Sequence, residues 1–244
     1  MTNSEPALVL DIDGVLRDVS QSYRRALADT VERFGGERPT PEAIDDLKAE
    51  GRWNNDWEAS QELLRRQGIA VPFAEVVAYF QQQYRGAPGD DPTLWTGYIA
   101  QEPLLANPEF FANLTAAGCP WGFFSGATRA SARFVLGRLG IAEPVLVAME
   151  DGPGKPDPTG LLAVADRLGA HTVVYAGDTV ADMQTVVAAR QRQPGRRWVA
   201  VGVVPPHVLA GDDPEAYRQR LRQQGADAVV DSVLALTPAW LRSL

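Results

Sequence analysis

Two carboxylates two residues apart, Asp11 and Asp13, close a short apolar run and are followed at once by a glycine, in the order Leu8-Val9-Leu10-Asp11-Ile12-Asp13-Gly14-Val15-Leu16. In an extended chain, residues two apart point to the same side, so the two carboxylates converge on one place. Gly14 lets the chain turn away without a side chain filling the space in front of them. Carboxylates at the end of a buried strand are costly unless something positive compensates them, and a divalent cation with oxygen ligands is the natural candidate. The plainer alternative is a strand end that runs into solvent with two surface acids.

Three more segments carry chemistry. Ser125-Gly126 ends an apolar run over residues 120–124, Gly154-Lys155-Pro156-Asp157-Pro158 follows one over 145–149, and Gly177-Asp178-Thr179-Val180-Ala181-Asp182 follows one over 172–176. Lysine occurs only as Lys48 and Lys155 in a chain that otherwise uses arginine, which hints that a compact ammonium is wanted at 155. Each group alone has an ordinary reading: Ser125 capping the next helix, Lys155 solvated, Asp178 in a turn. Together they describe a phosphoryl-transfer site. Asp11 and Asp178 can hold magnesium, Lys155 adds a second positive charge, and Ser125 with nearby backbone N–H groups can bind phosphoryl oxygens. One carboxylate can serve as nucleophile and its neighbour as general acid and base.

The elements that must position these groups are short buried strands alternating with amphipathic helices. That alternation predicts an α/β fold, a doubly wound and mostly parallel sheet whose ligands sit beyond the carboxyl ends of the strands. Residues 17–92 read differently, as helices only. Tyr23, Leu27, Val31 and Phe34 form one stripe, Thr40-Pro41 opens a second helix that should stop near Gly51, Asn55 opens a third that ends at Gly68, and Phe73, Val76, Val77, Phe80 and Tyr84 line a fourth. A Gly/Pro-rich loop over 86–92 follows. The expected organisation is a core of residues 1–16 and 93–244 with a small all-helical domain, 17–92, inserted between.

Composition narrows the function classes. The 244 residues are 45% hydrophobic and 22% charged, ordinary for a globular chain, and the net charge of -8 argues against nucleic acid or an anionic membrane as partner. No run is long enough to span a bilayer, no signal peptide is expected, and the single Cys119 excludes an intrachain disulfide, so a cytoplasmic setting is expected. His171, His207 and Cys119 lie outside the four segments and read as structural or surface groups.

The four segments resemble the four motifs of the haloacid dehalogenase superfamily, and the helical insert resembles the cap of its subfamily I. The resemblance implies a magnesium-dependent phosphatase that hydrolyses a small phosphorylated metabolite through an aspartyl-phosphate. Asp11 would be the nucleophile. Asp13 would protonate the leaving alkoxide and later activate water, with its backbone carbonyl on the metal. Asp178 would be the third protein ligand, Asp182 would orient a metal-bound water or Lys155, and Ser125, Gly126 and Lys155 would hold the phosphoryl group. The alternatives are a phosphonatase or phosphomutase on the same core, or a non-catalytic phosphate-binding protein. Phosphonatases of this superfamily use a cap lysine, and Lys48 is the one available, although it reads better as a solvated charge. Dehalogenase chemistry is disfavoured, because those enzymes lack an acid corresponding to Asp13.

Two positions depart from the pattern. Gly126 replaces a common asparagine, and Arg17 replaces an apolar residue, either to face substrate or to pair with Asp18 or an acid of the cap. Choice of leaving group is expected to reside in the polar stretch Arg52-Trp53-Asn54-Asn55-Asp56-Trp57, with Arg52, Asn54 and Asn55 as candidates. Its ordinary reading is a helix start capped by Asn55.

Overall fold

Strand β1 (Ala7–Leu10) is buried along its whole length, as an unbroken apolar run demands. Alternate residues serve opposite faces of the sheet: Leu8 and Leu10 pack into one core cluster, Ala7 and Val9 into the other. The structure, a computed structural model, describes residues 5–50, 52, 53, 55–87, 89 and 91–244. Around β1 lie β2 (Trp121–Phe124), β3 (Leu146–Val147), β4 (Thr172–Gly177), β5 (Arg197–Val203) and β6 (Ala228–Val230). The order is β3-β2-β1-β4-β5-β6, and every pairing is parallel. The chain leaves β1 towards β2 and β3 on one side, then returns to build β4 to β6 on the other. The order therefore reverses between β1 and β4, where an open parallel sheet leaves a crevice. Asp11 and Asp178 are the first residues beyond those two strands.

The chain divides into two compact units: the chain up to Asp18 together with Pro103–Leu244, and Val19–Glu102. The second boundary falls after the Gly/Pro-rich loop, so the single turn Tyr98–Gln101 goes with the helical unit. That unit contains α1 (Tyr23–Arg33), α2 (Pro41–Ala49), α3 (Asp56–Arg66) and α4 (Phe73–Arg85). Thr40 and Asn55 accept hydrogen bonds from the first-turn N–H groups of α2 and α3, as their positions predict. Val76, Phe80 and Tyr84 of α4 are buried, and Tyr84 stacks on Tyr23 at 4.5 Å, whereas Phe73 at the N-terminal end is exposed. Asn54, and Gly51 as the expected end of α2, lie outside the described residues.

In the α/β unit, α5 (Pro108–Ala116), α6 (Arg129–Arg138), α7 (Thr159–Leu168), α8 (Val180–Arg192) and α9 (Pro214–Gln223) alternate with the strands. The expected strand over 145–149 is cut to two residues, because Met149–Asp151 already coils into a 3-10 turn at this sheet edge. Among the described residues no helix is long and apolar enough to cross a membrane.

Candidate active site

The loop after β1 is wound so tightly that its carboxylates stay at the strand end. The Ile12 carbonyl accepts from the N–H groups of Val15, Leu16 and Arg17, and the Arg17 carbonyl accepts from Gly14 at 3.0 Å. Gly14 has φ +72°, and a Cβ there would lie 2.1 Å from Oδ2 of Asp178. Only glycine lets β1 and β4 bring their carboxylates this close. Gly177 serves the same purpose on β4, since a Cβ there would lie 2.3 Å from Cγ of Asp182.

Asp182 is held from several sides. Thr179 and Asp182 form a reciprocal capping box at the start of α8: Thr179 N–H donates to Oδ2 at 2.9 Å and its hydroxyl at 2.6 Å. The other carboxylate oxygen accepts from the Tyr175 hydroxyl at 2.8 Å and pairs with Lys155 Nζ at 2.6 Å. Lys155 also lies 2.9 Å from Oδ2 of Asp11. The lysine therefore bridges the first and fourth segments, with its ammonium 5.5 Å and 5.6 Å from the ring centres of Phe124 and Tyr175.

Burial gives these charges their chemistry. Asp11 is 5% exposed and Asp182 fully enclosed. Burial pushes the Asp11 carboxyl up to about 7, with Lys155 opposing and Asp182 and Asp13 adding to the rise. The Asp178 carboxyl is likewise driven well above the usual range by burial, then by Asp182 and Asp11. Burial acts the same way on Asp182, but Lys155 and Thr179 override it and hold that carboxyl below its ordinary value. Burial would lower the Lys155 ammonium, yet Asp11 and Asp182 raise it, so it stays charged.

Oδ1 of Asp11 is buried and accepts no hydrogen bond. An orphaned carboxylate oxygen is expensive, and it is the observation that most directly calls for a cation or an electrophile in front of it. One oxygen each from Asp11, Asp178 and Asp182 lie within 4.8 Å of one another. All-oxygen donors with one carboxylate oxygen left unpartnered fit a hard divalent cation.

Ser125 is buried at the end of β2, where its Oγ accepts from Ala127 N–H at 3.2 Å and keeps its own O–H to donate. Gly126 is exposed, and a Cβ there would meet nothing within 4 Å, so that wall stands open where the family pattern commonly has an asparagine.

A family model for haloacid dehalogenase-like hydrolases matches residues 6–190. The chain belongs to that family. The hydrolase is 34% identical over 257 aligned positions to imidazoleglycerol-phosphate dehydratase from Phytophthora nicotianae; the match takes in 98% of this chain but spans about half (54%) of that relative. Among solved structures it resembles a HAD family hydrolase from Deinococcus radiodurans R1 with bound phosphate and sodium, with TM-score 0.70 and 19% identity over 98% of this chain and 96% of that one. A putative beta-phosphoglucomutase from Thermotoga maritima is similar at TM-score 0.63 and 20% identity, over 98% and 97%.

The structure of the hydrolase brings Asp11, Lys155, Asp178 and Asp182 together, with Asp13 and Ser125 on the loops beside them. It adds a partner for Arg17 beyond those the sequence suggests: the side chain is fully buried and donates to Asp13. Asn55 spends its side-chain oxygen on the N–H groups of Trp57 and Glu58. Arg52 is exposed, 3.9 Å from Glu50 and over the Trp53 ring at 5.9 Å. Lys48 pairs with Asp56 at 2.7 Å, an ion pair without hydrogen-bond alignment.

Two positioning groups escaped the sequence reading. Tyr175 orients Asp182, and the Tyr217 hydroxyl donates to the Asp178 carbonyl at 2.6 Å. A tyrosine in an otherwise aliphatic buried strand was the available signal for the first, because its hydroxyl must find a partner.

Proposed function

We propose that this hydrolase is a magnesium-dependent phosphatase of a small phosphorylated metabolite, working through an aspartyl-phosphate at Asp11. The observation that carries the proposal is the unpartnered, buried Oδ1 of Asp11 beside the Lys155 ammonium. This oxygen attacks phosphorus while the bond from phosphorus to the leaving oxygen breaks. Asp13 gives its proton to the departing alkoxide, then takes one from the water that cleaves the Asp11–phosphorus bond, returning both carboxyls to their starting state. Lys155 and the Ser125 hydroxyl neutralise and orient the equatorial oxygens, helped by the backbone N–H of Gly126. Magnesium, held by Asp11, the Asp13 carbonyl and Asp178, supplies charge neutralisation at the phosphoryl oxygens when bound. Asp182 keeps Lys155 in place rather than touching substrate.

The helical unit is proposed as the cap that selects the leaving group, with Arg52, Asn54 and the spare amide of Asn55 as candidates. The dehydratase name belongs to a much longer relative, but its substrate class, a phosphate ester carrying an imidazole, supplies the first compounds to test. The single, buried and unpaired Cys119 supports a reducing, cytoplasmic setting. Release of inorganic phosphate from an aryl phosphate, dependent on added magnesium and abolished by chelator, tests the reaction. Phosphate release that is indifferent to chelator, or no release from any monoester, overturns it.

A further inference from the structure

Arg17 is among the largest fully buried side chains in the molecule, and it carries a charge. Its Nε and Nη2 both lie 2.6 Å from one oxygen of Asp13, Oδ1, and Nη2 also donates to Ser131 Oγ at 3.1 Å. Ser131 is itself 2% exposed and sits in the first turn of α6, the helix that follows Ser125. The Asp13 side chain keeps 29% of its surface exposed. Among the described residues nothing donates a hydrogen bond to its Oδ2.

A buried guanidinium is a poor device for stability alone. Desolvating it costs several kcal/mol, and an apolar side chain in the same space is often as good or better. What the arginine does instead is geometric. The Nε–H donated to Oδ1, with Nη2 in ion-pair contact with the same oxygen, fixes the rotation of the carboxyl group, and the bond to Ser131 fixes the arginine against a second element. Backbone turns alone do not achieve this, because the Asp13 carboxyl rotates about single bonds beyond the reach of the loop's hydrogen bonds.

We infer that Arg17 is a positioning residue for proton transfer: it occupies Oδ1 of Asp13 and leaves Oδ2 as the one oxygen that gives and receives the proton. The inference rests on the phosphatase reading above. In the first half-reaction the proton leaves Oδ2 for the alkoxide oxygen as its bond to phosphorus breaks. In the second, Oδ2 takes a proton from the attacking water. Arg17 loses and gains nothing in either step.

The test separates positioning from folding by the leaving group. A nitrophenolate departs without a proton, whereas a simple alkoxide needs one. The quantity measured is kcat/KM, which extends only through transfer to Asp11 and departure of the alcohol. It is taken with magnesium on p-nitrophenyl phosphate and on glycerol phosphate, for wild type, Arg17→Met and Arg17→Lys. Arg17→Met is expected to lose about 100-fold on the alkyl ester, the usual cost of misplacing a reacting group by an ångström, and no more than about fivefold on the aryl ester. Arg17→Lys, with a charge but no fork, falls between and stays informative if the methionine variant does not fold. Equal losses on both esters, or none on either, overturn the role given to Arg17 and leave the phosphatase reading standing. A wild-type protein that hydrolyses neither these esters nor any other phosphate monoester, the imidazole-bearing ones included, overturns the phosphatase reading, and this inference with it.

Discussion

The two units use the same ionic side chains to opposite ends. In the helical unit Glu62 pairs with Arg65 and Arg66, and Arg38 with Asp29 and Glu32, at 2.6–2.8 Å. Those arginines stand largely in water, and hydrogen bonds from Arg65 and Arg66 hold the Glu62 carboxyl down to about 2. Such pairs are screened and contribute little beyond solubility and local order. In the α/β unit three carboxylates surround one ammonium, Asp11 and Asp182 deep in the protein. The carboxyls of Asp11 and Asp178 go up rather than down. Neither distance nor cover over the carboxylate separates the two regions, since Glu62 is as buried as Asp11; the exposure of the cations does, Arg65 and Arg66 reaching water while Lys155 is enclosed. Charges that water already satisfies hold a surface together, whereas charges left short of partners are ready to bind something.

The sharpest way to break that contrast is to remove the group with the open lone pair. Asp11→Asn keeps the volume and most of the packing but cannot form the aspartyl-phosphate. Turnover should fall by about four orders of magnitude or more, the scale seen when a nucleophile is deleted. Phosphate release and acid-quenched labelling of the protein from a radioactive phosphate ester measure it together. An active Asp11→Asn variant, with contaminating phosphatase excluded, ends the covalent mechanism.

The next effect is on stability. The Asp11 carboxyl has an ordinary value of 3.8 in the unfolded chain and about 7 in the folded one. Between those values the folded protein keeps a proton that the unfolded chain has released, so stability falls as pH rises through that window. Asp178 acts with the same sign. The lowered carboxyl of Asp182 gains its stability above 3.8 and loses it only as pH falls further. The raised Lys155 contribution is fully present below 10.5, so neither opposes the trend. The metal-free protein should therefore melt lower at pH 7.5 than at pH 5. Added magnesium should restore several degrees at pH 7.5 and almost none at pH 5, about 2–4 °C for each kcal/mol in a chain of this size. Asp11→Asn should flatten the pH dependence. A magnesium effect that is equal at both pH values contradicts the assignment of these carboxylates as its ligands.

The same contrast explains what the sequence made legible. The four strand ends were readable because apolar runs stopped abruptly at functional residue types, and the alternation with helices implied the parallel sheet. Gly14 was readable as a turn, but not as the residue whose missing Cβ lets Asp178 approach. The contact of Arg17 with Asp13 was hidden for a related reason. The two lie four residues apart, and nothing in a linear pattern says that the loop winds back to make them face each other. Tyr217 lies 39 residues from the carbonyl it holds, a relation that only the sheet order creates. The helical unit gave up its helices and caps readily, since those are local. The role in recognising substrate proposed for it has no comparable local signature.

A smaller effect probes that unit. Arg52 is exposed, and among the described residues its one close acid is Glu50 at 3.9 Å, so folding makes little use of it. If the helical unit selects the leaving group, Arg52→Ala should raise KM for the natural substrate about tenfold, or about 1.4 kcal/mol, with an aryl phosphate nearly unaffected. Equal losses on both substrates would mean that the stretch supports folding, and the contrast between a chemical unit and a selective one would have to be redrawn.

The smallest effect is expected at Lys48, and its smallness is informative. A phosphonatase would need a cap lysine to condense with an aldehyde substrate, and no other lysine in the helical unit can serve. Such an amine works best when it is held away from anions, so that it can lose its proton. Lys48 instead sits in the last turn of α2, 2.7 Å from Asp56 in the first turn of α3. Each charge there complements the dipole of its own helix, and the two tie the helices together. Lys48→Met should therefore leave kcat/KM on phosphate esters within about twofold, with a loss of stability no greater than a partly exposed ion pair supplies, about 1 kcal/mol. Borohydride added with phosphonoacetaldehyde should leave Lys48 unlabelled in the wild-type protein. A reduced adduct at Lys48, together with phosphate release from the phosphonate that Lys48→Met abolishes, would turn the helical unit from a selective region into a catalytic one.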